Sequence, residues 1–146
     1  MDMGKAPDEG RRVRPVWLPP EGEFAGVDAG VWWDAVAVDG DLGARTAAHL
    51  KASKRCCGPV ACAGRGVVVP RWYFLIRRGA ARSWSEPGTQ ALVEGCRIGL
   101  PGSPKSAAHA VWWEVAPRFR AVPPLTTPRR LRRAPAAARA CAEALS

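Results

Sequence analysis

The stretch that decides the fold is residues 31–41, VWWDAVAVDGD, an apolar run rich in Val and Trp that ends in two aspartates one residue apart. β-Branched and aromatic residues over a run too short for a helix of that apolarity, bounded by Gly30 and Gly40, predict a strand. Successive side chains then alternate, placing Trp32, Asp34, Val36 and Val38 on one face and Trp33, Ala35, Ala37 and Asp39 on the other. Both faces are largely apolar. The strand is therefore expected to be covered on both sides, as the central member of a sheet backed by a helix layer. Asp39 and Asp41 lie past the apolar run, and two hard oxygen ligands at that spacing suit a shared Mg²⁺ or Mn²⁺. The commoner role of an aspartate there is structural, because Asp39-Gly40 is turn chemistry and either aspartate can N-cap a following helix.

Working outward, Leu42 to Lys54 predicts a helix, with Leu42, Thr46, Ala47 and Leu50 on one side and a basic end that complements the macrodipole. Gly58 to Ala63 reads as a short strand and Gly64-Arg65-Gly66 as a turn. Trp72 to Arg77 is the strongest strand after the first, with Pro70 confined to its start. Residues 79–90 read as a loop, Cys96 to Leu100 as a strand closed by Pro101-Gly102-Ser103-Pro104, and Ala110 to Val115 as one more strand. At the end of the chain Thr127 is placed to N-cap a helix over 127–145, with Pro128 at its first position. Leu131, Ala134, Ala138, Cys141 and Leu145 form its apolar stripe, and Pro135 requires a kink or restart. Residues 1–23, broken by Pro15, Pro19 and Pro20, read as a mobile lead-in whose Val16-Trp17-Leu18 clasps the body. The expectation is a single α+β domain over 24–146. It holds a mixed or antiparallel sheet of about five strands and two main helices, 42–54 and 127–145. Trp32, Trp33, Val36, Val38, Trp72, Phe74, Ile98 and Trp112 are expected in its core.

Composition supports one folded domain: 146 residues, 47% hydrophobic, with seven tryptophans. Charge is uneven, since residues 1–41 hold nine acidic and four basic side chains and residues 42–146 hold four acidic and eighteen basic. A body that positive suits a polyanion. Arg supplies 18 of the 22 cations and Asn is absent, as a GC-rich genome would also produce, so charge alone does not separate phosphate binding from composition. The first residues are charged and lack the apolar core of a signal peptide, and no run approaches a membrane span, so a cytoplasmic protein with reduced cysteines is expected. Cys56-Cys57 with Cys62 matches no zinc spacing.

The order of strand, DxD, helix, strand, Gly-rich turn and aromatic strand resembles the N-terminal domain of bifunctional DNA primase/polymerases, of the archaeo-eukaryotic primase superfamily. The first motif matches as VAVDGD, the second as AGRG followed by RWYFLIRR, and the third loosely as GTQALVEGCRIGLPGS. The resemblance implies metal ligation by Asp39 and Asp41 and nucleotidyl transfer with Mg or Mn. Two departures fall on the chemistry: Arg71 stands where the family has a phosphate-contacting His, and Thr89 stands about where it has a third metal-binding Asp. Two-metal phosphoryl transfer needs several carboxylates to hold its cations. The resemblance with these departures points to a degenerate, non-catalytic member.

Arg71, Tyr73, Arg77 and Arg78 interleave cations with a stacking surface along one strand, which is how single-stranded nucleic acid is held. Pro128 to Arg133, PRRLRR, adds a basic helix start that can track phosphates. Three functions follow. The first is a non-catalytic prim-pol-like module binding single-stranded nucleic acid or nucleotide phosphates through Arg71, Tyr73, Arg77 and Arg78. The second is an active primase/polymerase using metal at Asp39 and Asp41. The third is a protein-interaction module with an unnamed protein partner. No triad or nucleophile elbow is present, the only histidines being His49 and His109.

Overall fold

The organising strand begins three residues later than its apolar run. The computed structural model describes residues 13–53, 58–64, 68–102, 110–120 and 124–135. In chain order these form β1 (Phe24–Asp28), β2 (Asp34–Asp39), α1 (Gly40–Ser53), β3 (Val60–Ala63) and β4 (Arg71–Ile76). A single 3-10 turn at Ala80–Ser83 follows, then β5 (Thr89–Leu92), β6 (Arg97–Pro101) and β7 (Val111–Val115). A second helix, α2, covers 128–135. Five strands pair in the order β5-β2-β4-β3-β7, and β1 and β6 form a separate two-stranded sheet. Every strand pair is antiparallel, so the fold is α+β in one domain.

β2 is interior but not central. That place belongs to β4, because β5 adds to the far edge of β2 while β3 and β7 extend the sheet beyond β4. Trp32 corrects the expected core: it is 52% exposed, whereas Trp33 is 0% exposed. The cause is local. Gly30 adopts a left-handed backbone (φ 84) and donates its N–H to the Trp33 carbonyl at 2.8 Å, so Val31 and Trp32 ride on a turn before the strand's alternation starts. Trp72 and Trp112 are half-buried, while Val36, Val38, Phe74 and Ile98 are buried as expected.

The alternation of β2 then sorts two cores. Trp33, Ala35 and Ala37 join Leu75, Trp113, Ile98 and Leu100 beneath the β1–β6 sheet, and Val36 and Val38 join Phe74, Ile76, Leu50 and Leu131 beneath the helices. Of the expected clasp, Trp17 and Leu18 are buried and Val16 is exposed: Trp17 packs edge-on against Trp33 with ring centroids 5.6 Å apart, and lies 6.1 Å from Trp113. α1 can approach the sheet closely because residue 43 is glycine; a Cβ there would meet Trp72 Cδ1 at 2.1 Å. α2 begins as expected, with the Leu131 N–H donating to the Thr127 carbonyl at 3.0 Å. Its expected continuation past Pro135 lies outside the described residues, as do Cys56, Cys57 and most of the Gly64-Arg65-Gly66 turn.

Candidate nucleic-acid interface

Asp39 closes β2 and sits directly opposite Arg71, the first residue of β4. The two charges meet: Arg71 Nε donates to Asp39 Oδ1 at 2.8 Å and Nη2 to Oδ2 at 3.4 Å. The hydrogen bond to Asp39 raises the guanidinium pKa above its ordinary value; partial burial opposes this, and Asp39's charge and Tyr73 add to the rise. Asp41 falls in the exposed first turn of α1, where a negative charge favours the helix dipole. The carboxylate of Asp39, a candidate metal ligand, is thus engaged by Arg71. Thr89 lies elsewhere. It pairs with Val38 across β2 and β5, so it lies on the helix-side face, opposite to Asp39. Its hydroxyl accepts from Trp84 Nε1 at 2.9 Å and donates to the Glu86 carbonyl at 2.6 Å. Among the described residues no three His, Cys, Asp or Glu side chains gather as a metal site.

β4 separates the remaining candidates. Tyr73 is half-buried, facing Ala37 on β2 and Ala61 on β3. Arg77 and Arg78 follow the other end of the strand, so at about 3.3 Å per residue Arg71 and Arg77 stand about 20 Å apart. The four residues do not converge on one surface patch.

A different set does converge. Thr126 bridges Ile76 in parallel, its N–H donating to the Leu75 carbonyl at 3.0 Å while its hydroxyl accepts the Gly58 N–H at 2.9 Å. The chain therefore leaves β4 towards Arg77 and enters α2 at the same end of the sheet. Leu131 and Ala134 are fully buried against the helix-side core, which turns Arg129, Arg130, Arg132 and Arg133 outward. Between the two segments, Gly79 (φ 87) turns the chain into the 3-10 turn that exposes Arg82. Arg132 ties α2 to this turn: its guanidinium lies 5.1 Å from the Trp84 ring centroid and donates to Ser83 Oγ at 3.4 Å. Arg77, Arg78, Arg82, Arg129 and Arg133 have no carboxylate partner among the described residues. Glu86, two residues past Trp84, is half-buried, and Asp34, which is 2% exposed, accepts the Ala81 N–H at 3.0 Å.

The sequence shows Arg77-Arg78 and PRRLRR as separate runs and gives no sign that Arg82 and Trp84 belong to the same end. The Ile76–Thr126 bridge and the contacts of Arg132 with Trp84 and Ser83 unite them, and no local pattern announces either. Comparison with known protein families, with curated proteins and with solved structures found no match.

Proposed function

We propose that this chain is a non-catalytic, prim-pol-like module of the cytoplasm that binds the phosphate backbone of nucleic acid through the arginine end formed by Arg77, Arg78, Arg82 and α2. The observation that carries this reading is the gathering of exposed Arg77, Arg78, Arg82, Arg129 and Arg133 from two distant segments, none with a carboxylate partner among the described residues. Guanidinium forks match phosphate geometry, and such an end adds electrostatic affinity without sequence preference. The Arg71–Asp39 pair supports the absence of catalysis, because it occupies the carboxylate a metal would need. Tyr73 is remote from the arginine end, so phosphate contact rather than base stacking dominates. Duplex, with its denser charge, is bound at least as well as single strands.

The test is fluorescence anisotropy with labelled single-stranded and duplex oligonucleotides at low salt. The Arg77→Ala, Arg78→Ala, Arg82→Ala triple variant should lose at least about tenfold in affinity, and Arg71→Ala and Tyr73→Ala should stay near wild type. Equal affinity of the triple variant and wild type would overturn the assignment. Template-dependent extension with Mn²⁺ that disappears in an Asp39→Ala, Asp41→Ala double variant would overturn the non-catalytic reading.

A further inference from the structure

A second surface, beside the two-stranded β1–β6 sheet, carries a different character. A cavity of about 340 Å³ runs between residues 16–20 and β1, lined by Trp17, Leu18, Ala25, Val27, Val31 and Trp32. Its apolar walls stand open to solvent: Val16 is 75% exposed, Val31 48% and Trp32 52%. An exposed tryptophan beside two exposed valines is a contiguous apolar patch rather than scattered residues.

The backbone beside this groove is also unpaired. In the β1–β6 ladder Gly102 N–H donates to the Glu23 carbonyl and Ala29 N–H to the Cys96 carbonyl, both at 2.8 Å. Antiparallel bonding alternates, so Glu23, Ala25, Val27 and Ala29 direct their backbone groups at β6. Gly26 and Asp28 direct theirs outward, along an edge that no described strand covers. The proline at 101 fits this register, since its missing N–H falls at a non-bonded pair with Phe24.

The rim is acidic. Glu21, Glu23, Asp28 and Glu94 are exposed, and Glu94 sits against Gly30, next to Val31. Two cations of these segments are engaged: Arg97 pairs with Asp28 at 2.9 Å, and Arg14 donates to the Pro19 and Gly102 carbonyls. Glu21, Glu23 and Glu94 remain without a described counter-charge.

We propose that this groove docks an extended segment of a partner protein that adds as a strand to the free edge of β1. One apolar side chain of that segment would pack on Trp32, and the Lys or Arg residues flanking it would meet the acidic rim. Strand addition supplies main-chain hydrogen bonds at Gly26 and Asp28, and the groove supplies selectivity for the side chain. Charge favours this occupant: cationic flanks complement Glu21, Glu23 and Glu94, whereas two copies meeting through β1 would bring their own Glu21, Glu23 and Asp28 together.

The test is selection from a displayed random heptapeptide library against the full chain. Enriched peptides should alternate apolar residues and carry Lys or Arg beside them. Their amide perturbations should centre on Gly26, Asp28 and the Trp32 indole. Trp32→Ala, at an exposed position and checked for fold by circular dichroism, should weaken binding at least about tenfold, as for a central aromatic anchor. A Glu21→Gln, Glu23→Gln variant should lose the preference for cationic flanks. No enrichment over the Trp32→Ala protein, enrichment of acidic peptides, or concentration-dependent self-association through the same amides would each overturn the proposal.

Discussion

Replacing Trp17 by alanine tests whether residues 13–20 belong to the core. Trp17 is 9% exposed and meets Trp33 edge-on at 5.6 Å, with Trp113 on another side. Truncation of a buried Trp to Ala costs about 3–5 kcal/mol, of which the aromatic pair contributes roughly 0.5–1.5 kcal/mol. In a chain of this size 1 kcal/mol moves Tm by about 2–4 °C, so a fall of roughly 6–20 °C is expected. Urea unfolding followed by far-UV circular dichroism measures the free energy directly, and an unchanged slope shows that the folded and unfolded states keep their extent. Val16→Ala, at a residue 75% exposed, is the control and should change stability by less than about 0.5 kcal/mol. A Trp17→Ala loss below about 1 kcal/mol would refute the clasp.

Asp34→Ala strips the buried Ala81 N–H of its acceptor and should cost about 1–3 kcal/mol, with Asp34→Asn recovering most of it, read by the same urea titration. Burial pushes the Cys62 thiol up from 9.0 to about 11, with the charge of Glu114 adding to the effect. The native thiol thus resists ionisation that the unfolded chain undergoes, so its contribution is full below about pH 9 and is lost as pH rises through about 11. Wild type should lose stability faster than Cys62→Ala across that window, and parallel curves would count against it. Gly43→Ala should destabilise by about 1–3 kcal/mol in thermal melts, because its Cβ would be forced into the Trp72 ring.

Much of the fold was legible from local pattern. The alternation of Val36 and Val38 against Ala35 and Ala37 survives as two separate cores, and α1 begins at Gly40, two residues before the expected start. Trp32 failed because composition extends a strand through apolar residues, while the left-handed Gly30 starts it only at Asp34. β1 (Phe24–Asp28) and β5 (Thr89–Leu92) are short and weakly apolar; β1 is held by pairing with β6 and β5 by pairing with β2, and neither contact has a local signature. The same holds for the candidate sites. Asp39 and Arg71 stand out in the sequence as candidates, but only the register places them opposite each other as an ion pair. The arginine end depends on a contact between residues 76 and 126, fifty positions apart.

The central claim is that phosphates are neutralised by the arginine end, and the salt dependence of duplex binding measures this most directly. Each phosphate contact contributes about −0.9 to the slope of log K against log salt concentration. With three to six of the outward arginines engaged, wild type should show a slope of about −3 to −5, and Arg77→Ala with Arg78→Ala should flatten it by about 1–2 units. Arg71→Ala should leave the slope unchanged, since its guanidinium is already neutralised by Asp39. A slope near zero in wild type, or one that Arg71→Ala flattens and the Arg77→Ala, Arg78→Ala pair does not, would contradict the account.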